Sequence, residues 1–312
     1  MLCHAEEINI CFYFFGSDLE TDSGAASEDI KEIIRTEFSE DTHVFLMTGS
    51  SHFWALNLGN DGCITWSTVK NGELTVLEKW EDERIGESST LCRYLKCCQS
   101  ASPADNTVLI IWGHGTDGTA GIGYDMLNDS DTLTLKEIRG ALDMAKIHPA
   151  IIGFDACAMA SFESCWLLSD SCDYLVADTE PEEITGWPHH RWLSLASANT
   201  LELAQAMVDC ANEINLRIGK PASMRMLELR RFRERYYDIM CELFANCVAP
   251  DGQVLVTQIP GETAAQQDAL LTLLDGGDFL LGKYVKGNER QALELETIGD
   301  LYFNWLTNGC YS

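Results

Sequence analysis

A chain of 312 residues with 46% apolar side chains is long enough for one large folded domain or two modest ones. Its 49 acidic and 21 basic residues leave a formal net charge of −28. The summed field repels phosphate, which argues against nucleic acid and anionic membrane surfaces as partners and favours cationic ligands such as basic peptides. The longest apolar runs, such as 8–15, stop well short of the roughly 18–20 residues that span a bilayer, so no transmembrane helix is predicted.

In chain order, the apolar run INICFYFF at 8–15 predicts a strand. Ser27, followed by Glu28 and Asp29, predicts a capped helix with Ile30, Ile33, Ile34 and Phe38 on one face. Further short apolar runs at 44–47, 53–58, 107–112, 150–154 and 174–177 predict strands. Thr134 with Glu137, and Asn199 with Glu202, form capping boxes. They open helices that bury Leu135, Ile138 and Leu142 in the first, and Ala204, Met207, Val208 and Ala211 in the second. Apolar strands alternating with amphipathic helices imply an α/β sandwich around a buried, mostly parallel sheet.

The composition changes after Lys220. The segment PASMRMLELRRFRERYYDIM at 221–240 reads as a helix, with Met226, Leu227, Leu229, Phe232, Tyr236 and Ile239 anchoring one face and Arg225, Arg230, Arg231, Arg233 and Arg235 solvated on the other. Residues 1–220 therefore read as one α/β domain, and 221–312 as a smaller, mainly helical lobe with one added strand at 254–258. The opening MLCHAEEINI has no basic leader, long apolar stretch and small-residue cleavage site. As it stands the sequence predicts a cytoplasmic protein, or a secreted one if an export signal was trimmed. Thirteen cysteines, an odd count without a Cys-x-x-Cys pair, read mainly as buried small hydrophobes, and no metal site is assigned.

Two strand ends carry chemistry. VLIIWGHG at 108–115 runs an apolar strand into Gly113, His114 and Gly115, and AIIGFDAC at 150–157 runs another into Asp155, Ala156 and Cys157. Ligands of α/β sheets bind outside the carboxyl ends of the strands, so both side chains emerge where chemistry occurs. A thiol that attacks a carbonyl and an imidazole that moves protons form a nucleophilic site, and the flanking glycines free an amide for an oxyanion. The same letters, Gly113-His-Gly-Thr-Asp-Gly118, also match the dinucleotide fingerprint G-x-G-x-x-G. That fingerprint must open a helix, and residues 119–133 carry Gly121, Gly123, Asn128, Asp129 and Asp131 without helical periodicity.

With GSDLETDSGAASEDIKE at 16–32, the strand-His-Gly, LTLKEI at 133–138, IIGFDACAMASFE at 151–163 and YLVADTEPEEITGWPHH at 174–190, the chain resembles the clostripain-like cysteine peptidases, over about residues 8–220. Their clan also holds gingipains, legumains, separases and caspases. The resemblance implies a caspase-like α/β/α sandwich and an endopeptidase that cuts after Arg or Lys through a His114–Cys157 dyad and an acyl-enzyme. It also implies an oxyanion hole from the amides of Gly115 and Cys157, and Asp155 at the base of the pocket for the residue before the scissile bond. The turn at 181–188 is one residue longer than the family's Pro-Gly-x-Gly-Trp-Pro and brings Glu182 and Glu183, with Trp187, to the border of that pocket. Calcium dependence occurs in the family, but Asn128-Asp-Ser-Asp131 lacks the spacing of an EF-hand loop. No Lys or Arg lies between Gly115 and Leu135, so the self-cleavage of some relatives is not expected there. The alternative reading is a catalytically silent relative that holds basic peptides in an acidic cleft.

Overall fold

A computed structural model describes residues 6–58, 62–115 and 121–234. β1 (Ile8–Phe15) is buried along its whole length. Cys11, Tyr13 and Phe15 enter one core and Ile8, Ile10, Phe12 and Phe14 the other, which is why the run is apolar at every position rather than alternating. α1 (Ser17–Ser23) and α2 (Ala25–Arg35) lead to β2 (Thr42–Gly49), parallel to β1. β3 (Ile64–Lys70) and β4 (Glu73–Trp80) form an antiparallel hairpin. Asn71 and Gly72 turn it with φ of 53° and 75°, a two-residue turn whose twist suits the flanking strands.

α3 (Ser88–Ala101), β5 (Asn106–Trp112), the small hairpin β6 (Ile122–Asp125) and β7 (Asp131–Leu133), and α4 (Leu135–Ala145) come next. β8 (Ile151–Asp155), α5 (Phe162–Leu167), β9 (Tyr174–Asp178), α6 (His189–Leu193), α7 (Thr200–Arg217) and β10 (Met224–Glu228) complete the described chain.

The main sheet has the order β10-β9-β8-β5-β1-β2-β3-β4. Its five central strands are parallel, with antiparallel β10 at one edge and the β3–β4 hairpin at the other. α3, α4 and α5 cover one face, and α2, α6 and α7 the other. This is the three-layer, mostly parallel sandwich that the pattern implied. The Thr134–Glu137 capping box forms in full, worth about 1 kcal/mol to its helix. Asn199 accepts from the Glu202 amide.

Several expectations are corrected. α2 starts at Ala25, so Ser27 is not its cap; its amide and hydroxyl instead donate to the buried Glu20 carboxylate of α1 at 2.8 and 2.5 Å. Residues 53–58 form a loop: the Ala55 amide donates to Glu20 Oε1 at 2.9 Å rather than to a neighbouring strand. The β3–β4 hairpin and α3 were not anticipated. Residues 224–228 are not helical. They form edge strand β10, paired with β9 from Met224↔Asp178 to Glu228↔Tyr174, with helical residues beginning only at 229. Over so short a run the spacing of Met224, Met226, Leu227 and Leu229 satisfies either period, and the open edge of β9 decides in favour of the strand. An edge strand also tolerates an exposed cation such as Arg225. This strand lies past the expected boundary at 220. The strand at 254–258 and the rest of the helical lobe lie outside the described residues. Among those described, no helix is long and apolar enough to cross a membrane.

Candidate active site

The parallel strands β1, β5, β8 and β9 end at one edge of the sheet, and the chain leaving each supplies one part of the site. The Gly113 amide donates to the Asp155 carbonyl at 3.2 Å, and the Gly123 amide to the His114 carbonyl at 2.7 Å. These bonds extend β5–β8 pairing to the site and tie His114 to β6. Beyond them Gly115 and Cys157 meet backbone to backbone. A Cβ on Gly115 would lie 2.0 Å from the Cys157 carbonyl oxygen and 2.7 Å from its nitrogen, a position only glycine can fill. Neither the Gly115 nor the Cys157 amide donates to a partner among the described residues. Ala158 follows with φ 55°, a left-handed conformation that costs an L-residue about 1 kcal/mol or more. The Ala158 and Ala160 amides hold this turn by donating to the Glu180 and Asp178 carbonyls at 3.0 and 2.9 Å.

Cys157 is half-buried, and its Sγ accepts from the Glu182 amide at 3.3 Å. His114 is half-exposed, stacks on the Tyr124 ring at 5.5 Å, and has its Nε2 2.8 Å from Asp18 Oδ1. The next described cysteines along the chain differ in kind. Cys165 and Cys172 are buried in the core, where desolvation pushes their thiols far above the usual range.

Strand alternation sends Asp155 to the same face as Ile151 and Trp112, toward α2 and α6. There it is 3% exposed, accepts from the Trp187 amide at 3.3 Å, and has His189 Nε2 2.9 Å from Oδ2. Asp29 of α2 lies beside it and accepts from Trp112 Nε1 at 2.7 Å. Gly186 lies over both: with φ +57°, its Cβ position is 3.0 Å from Asp29 Oδ2 and 3.1 and 3.2 Å from the Asp155 oxygens. Glu182 completes the group, accepting from Trp187 Nε1 at 3.0 Å and hydrogen-bonding Asp155. Burial, and next the charge of Asp155, push both Asp29 and Glu182 well above the usual carboxylate range. Three carboxyl groups thus share a confined space with one imidazole.

The sequence profile of the clostripain family matches residues 13–231. The chain belongs to the clostripain family. That family is one of cysteine peptidases, and proteolysis is the activity that membership supports. A secreted C11 cysteine protease from Bacteroides thetaiotaomicron, solved with an irreversible peptide inhibitor, is similar in structure, with a TM-score of 0.64 at 15% identity over 87% of this chain and 83% of that one. A second structure of a secreted C11 cysteine protease from that organism, iotapain, gives 0.63 at 14% identity over 88% and 85%. An inactive zymogen C11 protease from Parabacteroides distasonis gives 0.62 at 17% identity over 89% and 84%. At these identities the likeness concerns the caspase-like fold. No functionally curated protein sequence matches the chain.

Of the residues singled out from sequence, the structure brings His114, Gly115, Cys157, Asp155, Glu182 and Trp187 to one end of the sheet. Glu183 points elsewhere, to Lys220 Nζ at 2.6 Å. Trp187 is a buried support for Asp155 and Glu182 rather than an exposed rim. The dinucleotide reading fails because residues 122–125 form strand β6 where it requires a helix. Asp18, Tyr124, Asp29 and His189 were missed, although Asp18 carries the sign that flagged the dyad: an apolar strand running straight into Gly-Ser-Asp.

Calcium does not fit the donor sets described. It takes six to eight oxygens, whereas Asp29, Asp155 and His189 offer two carboxylates and an imidazole. The Asp125 carboxylate is already taken by the Ile85 and Leu127 amides and Asn128 Nδ2. We derive no step through calcium.

Proposed function

We propose that this protein is a cysteine endopeptidase that cleaves after Arg or Lys. The observation that carries the reading is the backbone contact between Gly115 and Cys157, which draws together a thiol, an imidazole-bearing segment and two amides that have no acceptor among the described residues. Cys157 Sγ, held in place by the Glu182 amide that donates to it, attacks the scissile carbonyl. The developing oxyanion is received by the amides of Gly115 and Cys157. His114 gives a proton to the leaving amine as the tetrahedral intermediate collapses to the acyl-enzyme, then takes one from the water that hydrolyses the thioester.

Asp155, with Glu182 at its side, recognises the side chain before the scissile bond. A guanidinium or ammonium is the occupant that relieves three crowded carboxyl groups, and it reaches them as the 181–188 segment yields. Fluorogenic peptides ending in Arg, Lys or Asp, assayed with and without calcium, test the reading. Turnover of the Arg or Lys peptides supports it; turnover of the Asp peptide alone, or of none, refutes it. Cleavage outside the cell, as in the relatives described as secreted, fits this substrate class.

Replacement of Gly115 by Ala forces the Cys157 backbone away from a Cβ that has no space. Displacing a catalytic group by about 1 Å costs on the order of 100-fold in rate, so Gly115→Ala lowers kcat/KM by about that much in the peptide assay.

A pH effect follows from the raised carboxyls. Glu182 and Asp29 hold protons at pH values where ordinary carboxyls are ionised, and a bound cation stabilises their ionised forms, so binding expels protons. KM for Arg peptides therefore falls as pH rises through the titration of these groups. Calorimetry of a guanidinium inhibitor in buffers of different ionisation enthalpy registers the released protons.

A further inference from the structure

We propose that Asp18 is a positioning residue that completes the site by holding the His114 ring through its Nε2 and leaving Nδ1 to exchange protons with the reacting groups. The inference rests on the dyad reading above and adds a third side chain to it. Four observations converge on the pair. The Asp18 carboxylate and His114 Nε2 are 2.8 Å apart, although 96 residues separate them in the chain. Asp18 stands one residue past the Gly16–Ser17 step at which β1 ends, so its backbone is anchored by the sheet: the Gly16 and Ser17 amides donate to the Gly49 and Ser50 carbonyls at 3.0 and 2.7 Å. Ser17 Oγ donates to the same Asp18 oxygen at 3.2 Å. The Tyr124 ring lies against the imidazole at an interplanar angle of 16° and its hydroxyl bonds the carboxylate. The ring is thus fixed in plane by one contact and in tilt by another.

The electrostatics agree in direction. Burial pushes the Asp18 carboxyl up, but hydrogen bonds from Tyr124 and His114 and the imidazole's charge outweigh it and hold the carboxyl down to about 2. Asp18 is therefore ionised throughout the range in which cysteine peptidases work, and as a carboxylate it can only accept, so the ring donates its Nε2–H to it and Nδ1 is the nitrogen left for proton exchange. Among the described residues, the other titratable group shown against the ring is Tyr124 of β6. Tyr124 is neutral at working pH, its hydroxyl pushed up by burial and by Asp18. The pair is half-exposed, with 39% and 44% of the side-chain surfaces accessible, so its worth lies in orientation rather than in stability.

The test separates charge from orientation. Asp18→Asn keeps an acceptor of the same shape without the charge; Asp18→Ala removes both. Asp18→Ala is expected to lower kcat roughly 10- to 100-fold with KM little changed, the range seen when an imidazole loses the partner that orients it. Asp18→Asn, which keeps an oxygen that can accept from Nε2–H, is expected to retain most of the wild-type kcat. In the Cys157→Ala background, ¹⁵N NMR of the His114 ring is expected to show a single tautomer with the proton on Nε2, and a mixture of tautomers when Asp18→Ala is added. Wild-type kcat in Asp18→Ala, or a tautomer population unchanged by Asp18→Ala, overturns the proposal. His114→Ala distinguishes the two levels. If it is inactive while the Asp18 variants behave as wild type, only the positioning role is lost; if it retains full turnover, the dyad reading falls with it.

Discussion

Cys157→Ala is expected to abolish peptide hydrolysis, with a loss on the order of 10⁵- to 10⁶-fold, because the proposed mechanism forms its acyl-enzyme on this sulfur. Stoichiometric labelling by an active-site electrophile disappears with it. Cys165→Ala and Cys172→Ala serve as the contrast. Both thiols are held protonated by burial within the core, so these variants should keep full turnover and lose only the order of 1 kcal/mol in a denaturation midpoint. Residual turnover in Cys157→Ala, above the level of contaminating protease, would place the nucleophile elsewhere.

Asp155→Asn is the change with the largest expected effect on selectivity. The carboxylate is nearly inaccessible, so a guanidinium reaching it leaves water and depends on that charge. Leaving such a cation without its partner costs about 2–5 kcal/mol, equivalent to roughly 30- to 5,000-fold in kcat/KM for Arg peptides. The amide oxygen of Asn can still accept from the Trp187 amide that Asp155 now engages, so the 181–188 segment keeps its anchor. The thiol should then react with a small alkylating agent at close to the wild-type rate. Equal loss of peptide turnover and of alkylation, accompanied by a lower melting temperature, would instead make Asp155 a structural support for that segment.

The fold class, and the placing of His114 and Cys157 at one end of the sheet, were legible in the sequence because each rests on a short-range regularity. An apolar run such as 108–112 has to be buried on both faces, so its abrupt end in Gly-His-Gly marks the rim of the sheet. The run ending in Asp-Ala-Cys does the same. The period of two along β8 even determines that Asp155 points to the face opposite Ile152 and Phe154. The Asn71-Gly72 turn was equally local and could have been read, since two alternating runs flank it.

What only the tertiary structure decided are the pairings between elements distant in the chain. Asp18 meets His114 because β1 lies next to β5 in the sheet, an adjacency set by strand order and not by spacing along the chain. Asp29 meets Asp155 because α2 packs on the face of the sheet toward which β8 turns Asp155, and the crowding pushes the Asp29 carboxyl up. Residues 224–228 become a strand because β9 offers an unpaired edge, and the backbone hydrogen bonds gained there outweigh a helical spacing that so short a run cannot enforce. Periodicity reports which face of an element is buried; which neighbour buries it is a property of the assembled sheet.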